Sequence, residues 1–262
     1  MLDKIILIHP TKCAGTTISK RILKLKGFSE NDSAFYSGYS FNRFFQNNIQ
    51  FFYFLFHSKS FILYFIYPLF YCVCFYFTFR NLFAENKYGL TYCKGSIQHF
   101  TYRQWEQIKK IKTDSIFISV VTHPQNRIVS SFYFLGYDKH YSFLEFLKKI
   151  QDGSLLESIP FSGFRAIIRQ HIIPMYDYLI DCNGENNIAF TFKKESLDDD
   201  WEKFCVKYQV THDALKHINK TTSIIDWKNL YRIDPEVSQL VYDLYKKDFE
   251  YFNYKIINFC DI

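Results

Sequence analysis

Lys12, Gly15, Thr16 and Thr17 stand close together in the run H-P-T-K-C-A-G-T-T at positions 9–17. A lysine supplies a point charge and two threonines supply hydroxyl donors. Ala14 and Gly15 are small enough to bring backbone N–H groups close to a ligand. Such a set suits an anion of the phosphate or sulfate kind. A second set, T-H-P-Q-N-R-I-V-S-S at positions 122–131, offers His123, Arg127 and Ser130. His99 lies between the two sets. An imidazole titrates near neutral pH, so these histidines have the chemistry of a general acid or base. The other possibility for His99 is a hydrogen-bonded structural role. His9, next to the first set, is a candidate lining residue, and Glu195 and His123 are weaker candidate bases. No cluster has metal-ligand spacing, and no metal is expected.

The elements that must position these residues follow from apolar patterning. Ile5 to Ile8 is a short apolar run suited to a strand buried on both faces. Thr16 and Thr17 are N-cap candidates. After them Ile18, Ile22 and Leu25 recur at helical spacing. Strand, small-residue loop and helix form an anion cradle, because free N–H groups and the helix dipole meet at the helix start. The order is not that of a Walker A loop, in which lysine follows the last glycine. A second strand is expected at 116–121 and a helix after Pro124. Further helices are expected over 104–111, 143–150 and 164–179, the last kinked at Pro174. A third strand is expected over 188–192 and a short helix from Asp200. A final helix is capped by Asp234 with Pro235 at its first position. Strands separated by helices predict a parallel sheet of the α/β class.

Composition sets bounds. The chain has 262 residues and a net charge of +6, enough for one core with an insertion and compatible with an anionic ligand. No basic run or nucleic-acid motif is present, so no nucleic-acid partner is expected. Seven scattered cysteines without a C-x-x-C pair argue against a zinc or disulfide framework. Ile5 to Ile8 is too short for a secretory signal, so a cytoplasmic location is expected. From Ser60 to Phe79 there is no charged residue, and Phe and Tyr dominate. Pro68 interrupts this stretch. A single span there would separate the two polar sets across a membrane, so 44–83 is expected to be an insertion. Residues 51–83 would lie on a membrane or cover an acceptor groove. A span, or ordinary core helices, are the alternatives.

Several motifs now fall into one order. P-T-K-C-A-G-T-T resembles the 5′-phosphosulfate loop of the sulfotransferases that use 3′-phosphoadenosine 5′-phosphosulfate (PAPS), with Thr11 inserted between proline and lysine. V-V-T-H-P-Q-N-R-I-V-S-S-F-Y is similar to the family segment that holds the 3′-phosphate, V-x-R-[D/N]-P-x-x-R-x-x-S-x-Y. Pro124, Arg127 and Ser130 agree and Phe132 replaces one aromatic by another, while Thr122 stands where the family has arginine and His123 where it has Asp or Asn. F-T-F-K-K-E-S-L, K-H-I-N-K-T and Y-K-K-D-F-E-Y-F-N-Y resemble later family elements. The resemblance is to the carbohydrate-type branch, over about residues 4–26 and 92–254. It implies a P-loop-like fold in one domain spanning 1–262 and PAPS as sulfuryl donor. Lys12, Cys13, Ala14, Gly15, Thr16, Thr17, Thr122, Arg127 and Ser130 would contact the donor, and Lys12 and His99 would act in catalysis. The acceptor it implies is a hydroxyl of a carbohydrate or glycolipid. A nucleotide-dependent phosphotransferase and an inactive nucleotide- or glycan-binding relative remain the other readings.

Overall fold

The structure, a computed structural model, describes residues 5–25, 99, 101–106, 114–159, 162–210, 227–232 and 234–257. The aromatic block at 44–83, with its 60–79 core, and the K-H-I-N-K-T segment lie outside these residues. Three parallel strands form one sheet in the order β1 (Ile5–Ile8), β2 (Ile116–Val121), β3 (Phe190–Lys193). Ile5 pairs with Ile116 and Ile8 with Ser119, while Ile118 pairs with Phe190 and Val121 with Lys193. The mixed α/β class expected from the patterning is therefore the observed one, with helices flanking a parallel sheet. Among the described residues no helix is long and apolar enough to cross a membrane.

Helix α1 (Gly15–Leu25) follows β1, and α2 (Tyr102–Glu106) precedes β2. Between β2 and β3 come α3 (Pro124–Phe134), α4 (Phe143–Gln151), α5 (Ser154–Glu157), α6 (Ser162–Ile172) and α7 (Tyr176–Leu179). Helices α8 (Leu197–Tyr208), α9 (Trp227–Arg232) and α10 (Pro235–Tyr251) close the chain. One apolar core joins the sheet to α1, α2, α7 and α8, with Ile8, Ile18, Ile118, Phe192 and Trp201 fully buried. A second core joins α3, α4, α9 and α10 through Ile128, Phe146, Tyr231 and Val241. The caps follow from sequence. Asp234 accepts from the Glu236 N–H with Pro235 behind it, and Ser142 with Glu145 forms a capping box.

Four local expectations are corrected. The helix expected over 164–179 is two helices, because Pro174 lacks an N–H and biases Ile173 away from helical geometry. Helix α2 starts at Tyr102 rather than 104. Thr101 accepts from the Gln104 N–H, and the Gln104 side chain accepts from the Thr101 N–H, which makes a capping box. Strand β3 starts two residues late, because the Asn186 side chain accepts from the Ile188 N–H and holds it in a local turn. Helix α8 begins at Leu197, where Asp198, Asp199 and Asp200 suit the positive end of the dipole.

The break at Pro174 leaves the last carbonyls of α6 without helical partners. Arg127, from α3 and 1% exposed, meets them. Its Nη1 donates to the Ile173 carbonyl at 2.7 Å and Nη2 to that of Gln170 at 3.3 Å. Nε donates to the Thr11 carbonyl at 3.1 Å, so the same guanidinium holds the loop after β1. The Tyr178 and Thr11 hydroxyls also donate to Gln170, and Tyr245 donates to Ile172 at 2.7 Å. A lysine at 127 reaches fewer of these carbonyls. Arg127→Lys should lower unfolding stability by about 3–5 kcal/mol, as loss of a buried charged partner does. Urea denaturation checks it; a change under about 1 kcal/mol would remove Arg127 from this role.

Candidate active site

Strands β1, β2 and β3 run parallel, so the loop after β1, the start of α3 and the turn after β3 emerge at one end of the sheet. The first is the expected anion loop. Lys12 (φ 66°) and Ala14 (φ 62°) are left-handed, with Cys13 between them outside that region. This conformation costs a non-glycine residue roughly 1–2 kcal/mol. Alternating hand turns successive N–H groups toward one side, the geometry of an anion nest. Helix α1 begins at Gly15, so Thr16 and Thr17 sit in its first turn rather than at its N-cap. Thr16 is half-buried and Thr17 buried.

Gly15 is required for a reason the sequence did not show. A Cβ there would stand 1.9 Å from His9 Cδ2 and 2.0 Å from His9 Nε2. The imidazole of His9 thus occupies the space of the missing side chain and packs on the start of α1. His9 in turn meets His99, with ring centroids 4.8 Å apart. His99 Nδ1 lies 2.8 Å from the His9 carbonyl oxygen. A carbonyl only accepts, so Nδ1 carries the proton and the neutral ring has its lone pair on Nε2. Burial pushes His99 down to about 4, against the opposing pull of its bond to His9. Burial also pushes His9 well below its ordinary value, helped by the charges of His99, Lys12 and His171. Both rings are neutral at physiological pH.

The Lys12 ammonium lies 4.2 Å from the centre of the Phe134 ring, a cation–π contact. His171, on α6, stacks on that same ring at 4.8 Å and 11°. Burial, and then the charge of Lys194, lower Lys12 to about 8. It is still mostly protonated at pH 7.

The expected donor-contacting residues divide sharply. Lys12, Ala14, Gly15 and Thr16 lie on the loop and the start of α1, Thr17 is buried in that same first turn, and Ser130 lies half-buried in the middle of α3. The Cys13 side chain is fully buried, with Sγ against the Thr11 carbonyl and Met175 Sδ, and burial pushes its thiol up to about 12. Only its backbone N–H is available to a ligand. The Arg127 guanidinium is spent on carbonyls, so it shapes the loop from beneath rather than facing it. Thr122 is completely buried and donates to Glu195 Oε1 at 2.7 Å. Glu195 also accepts from the His123 N–H at 2.7 Å and from the Tyr254 hydroxyl at 2.9 Å. Burial opposes its ionisation, but these bonds prevail and hold it below the usual carboxylate range. Both of its oxygens are thus taken up by structural hydrogen bonds, Oε1 by two and Oε2 by one. His123 caps α3, accepting at Nδ1 from the Gln125 N–H and donating from Nε2 to the Lys255 carbonyl, so both nitrogens are used.

Phe134, Gln170, His171 and Lys194 were not among the sequence candidates. Phe134 could have been found, since it stands seven residues after Arg127 and therefore on the same face of α3. Gln170 and His171 come to the loop across more than 150 residues, and no local pattern marks them. Among the described residues no group of three or more His, Cys, Asp or Glu side chains is placed to hold a metal ion.

A model of the sulfotransferase family matches residues 2–255, nearly the whole chain. The chain belongs to the sulfotransferase family. Sulfuryl transfer is therefore the class of chemistry that membership of this family supports. Comparison with curated proteins and with solved structures found no match.

If His9 fills the space beside Gly15, its removal should relieve a larger residue there. Gly15→Ala should destabilise the fold by about 1–3 kcal/mol, as overpacking does, and His9→Ala in the same chain should restore most of it. Thermal unfolding of the two single variants and the double variant measures this coupling. Strict additivity would mean that His9 does not occupy that space.

Proposed function

We propose that this sulfotransferase takes its sulfuryl group from PAPS and passes it to a hydroxyl of a carbohydrate or glycolipid. The observation that supports it most directly is the occurrence together of the Lys12 nest and His99, whose Nδ1 is anchored to the His9 carbonyl and whose Nε2 has no hydrogen-bond partner among the described residues. The residues of the loop after β1 fit the 5′-phosphate of the donor. The alternating backbone and the first turn of α1 can bind a 5′-phosphate through N–H groups and the hydroxyls of Thr16 and Thr17. The bound donor supplies the sulfuryl group and a phosphate leaving group. Lys12, leaving the Phe134 ring, holds a positive charge at the bridging oxygen. His99 Nε2 takes the proton of the acceptor hydroxyl, and the His9 carbonyl keeps the ring in the tautomer that can do so. A carbohydrate acceptor is supported by the resemblance to the carbohydrate-type branch. A membrane-held glycolipid is supported by the uncharged aromatic composition of 51–83, which we propose is an insertion in one cytoplasmic domain. Complete burial of Thr122 favours one second reading, a relative that binds the nucleotide without turnover.

Melting curves with adenosine 3′,5′-bisphosphate and with ATP test the donor reading. The bisphosphate at 100 times its dissociation constant should add about 2.7 kcal/mol of stability. An equal or larger shift with ATP would count against the reading.

His99→Ala should abolish sulfuryl transfer from PAPS to a glycan panel while changing bisphosphate affinity less than twofold. In wild type, a base at about 4 stays deprotonated down to that pH. The acid limb of kcat/KM should therefore lie near 4 rather than 6.5; a limb at 6.5, or full activity in His99→Ala, would reject His99 as the base. Transfer absent in wild type despite bisphosphate binding would favour the inactive reading.

Lys12 makes a separate prediction. An anion beside it should raise its affinity for the proton above the value of about 8 in the free protein. Bisphosphate binding should then take up a proton above pH 8, and affinity should weaken by up to about tenfold per pH unit there. Calorimetry in buffers of different ionisation enthalpy reads this uptake directly, and Lys12→Ala should lose it. Uptake that persists in Lys12→Ala would assign it to another group.

A further inference from the structure

Position 122 poses a physical problem on the donor reading. The family segment that residues 120–132 resemble has an arginine there, in the stretch that holds the 3′-phosphate. This chain has a buried threonine whose hydroxyl is already bonded to Glu195. Arg127, the next cation along, is committed to three carbonyls. A 3′-phosphate would thus meet no free positive charge from β2 or α3.

The adjacent strand supplies one. Val121 pairs with Lys193, so Thr122 and Lys194 leave the sheet side by side at its open end. Glu195 fixes that proximity, since its carboxylate binds both the Thr122 hydroxyl and the His123 N–H. The turn Lys194–Ser196 follows directly on β3. The last lysine of the strand and the first of the turn have different fates. Lys193 turns to the closing segment, donating to the Phe252 carbonyl at 2.7 Å and lying 4.8 Å from the Tyr254 ring centre. Lys194 is exposed and has no hydrogen bond or ion pair among the described residues.

We propose that Lys194 is the residue that binds the 3′-phosphate of the donor, replacing from β3 the cation that β2 lacks at Thr122; this rests on the PAPS reading above. The charge of Lys194 is felt at the anion loop, where it helps lower Lys12 and acts on Cys13. Two lysines that repel each other across one site are relieved by an anion between them. The donor carries a phosphate on each side of its ribose, so each lysine has a partner.

The test compares adenosine 3′,5′-bisphosphate with adenosine 5′-monophosphate, which lacks only the 3′-phosphate. Each is titrated calorimetrically into wild type, Lys194→Gln, Lys194→Arg and Lys12→Ala. Lys194→Gln should weaken the bisphosphate at least tenfold and the monophosphate less than twofold. Lys194→Arg should keep bisphosphate affinity, and Lys12→Ala should weaken both ligands. An unchanged bisphosphate affinity in Lys194→Gln overturns the inference alone. So does an equal loss for both ligands, which would make Lys194 a general attractor. A wild type that binds the bisphosphate no better than the monophosphate overturns the donor reading and the inference with it. The Lys194 side chain is exposed, so its variants should fold, and their circular dichroism and melting temperature should match wild type.

Discussion

One buried guanidinium holds the two halves of the site together. Arg127 reaches from α3 to the Thr11 carbonyl on one side and to the carbonyls that end α6 on the other. A cation at a helix C-terminus is favourable, because the dipole concentrates negative charge there. Burial strengthens each bond and also makes the charge expensive to leave unpaired. Asp248, itself buried, accepts the N–H groups of Met175 and Tyr176 just beyond the break. Burial pushes this carboxyl up to about 6, while Arg127 and the two N–H groups pull the other way. The polar centre is thus a network in which each member limits the cost of another.

That network explains how a strained loop persists. Left-handed geometry at Lys12 and Ala14 is unfavourable by itself. It is held from beneath by Arg127 on Thr11, by Cys13 packed against Met175, and by His9 filling the space beside Gly15. The side chains that fix the loop therefore point inward and leave its N–H groups outward. Thr11, inserted between the proline and the lysine, is accommodated because its hydroxyl and carbonyl are both bonded in the interior.

The electrostatics at the open end are arranged with little slack. His9 and His99 are neutral, Lys12 rests on an aromatic face, and Lys194 stands exposed at the neighbouring strand end. Glu195 could have neutralised the lysines, but it is turned inward to Thr122, His123 and Tyr254. The mouth therefore keeps positive charge for a ligand to meet, and the carboxylate serves to align β2 with β3.

The sequence by itself determined the strands, most helices, the small-residue loop after β1 and the family, because each is written in local patterns. Apolar runs mark buried strands, apolar spacing marks helix faces, and K-C-A-G-T-T carries its chemistry within a few residues. The Asp234 cap was legible for the same reason, while the Ser142–Glu145 and Thr101–Gln104 boxes were written just as locally and went unread. The break at Pro174 was visible as a proline, but whether it kinked or ended the helix depended on Arg127 waiting to satisfy the freed carbonyls. Only the tertiary structure decided which way side chains face. Arg127 and Cys13 looked like ligand contacts and turned out to be supports, since burial and hydrogen bonding claimed them first. His9 against Gly15, His171 against Phe134 and Lys194 beside Thr122 are meetings of residues distant in sequence. Such meetings are set by how the sheet and helices pack, and no spacing along the chain records them.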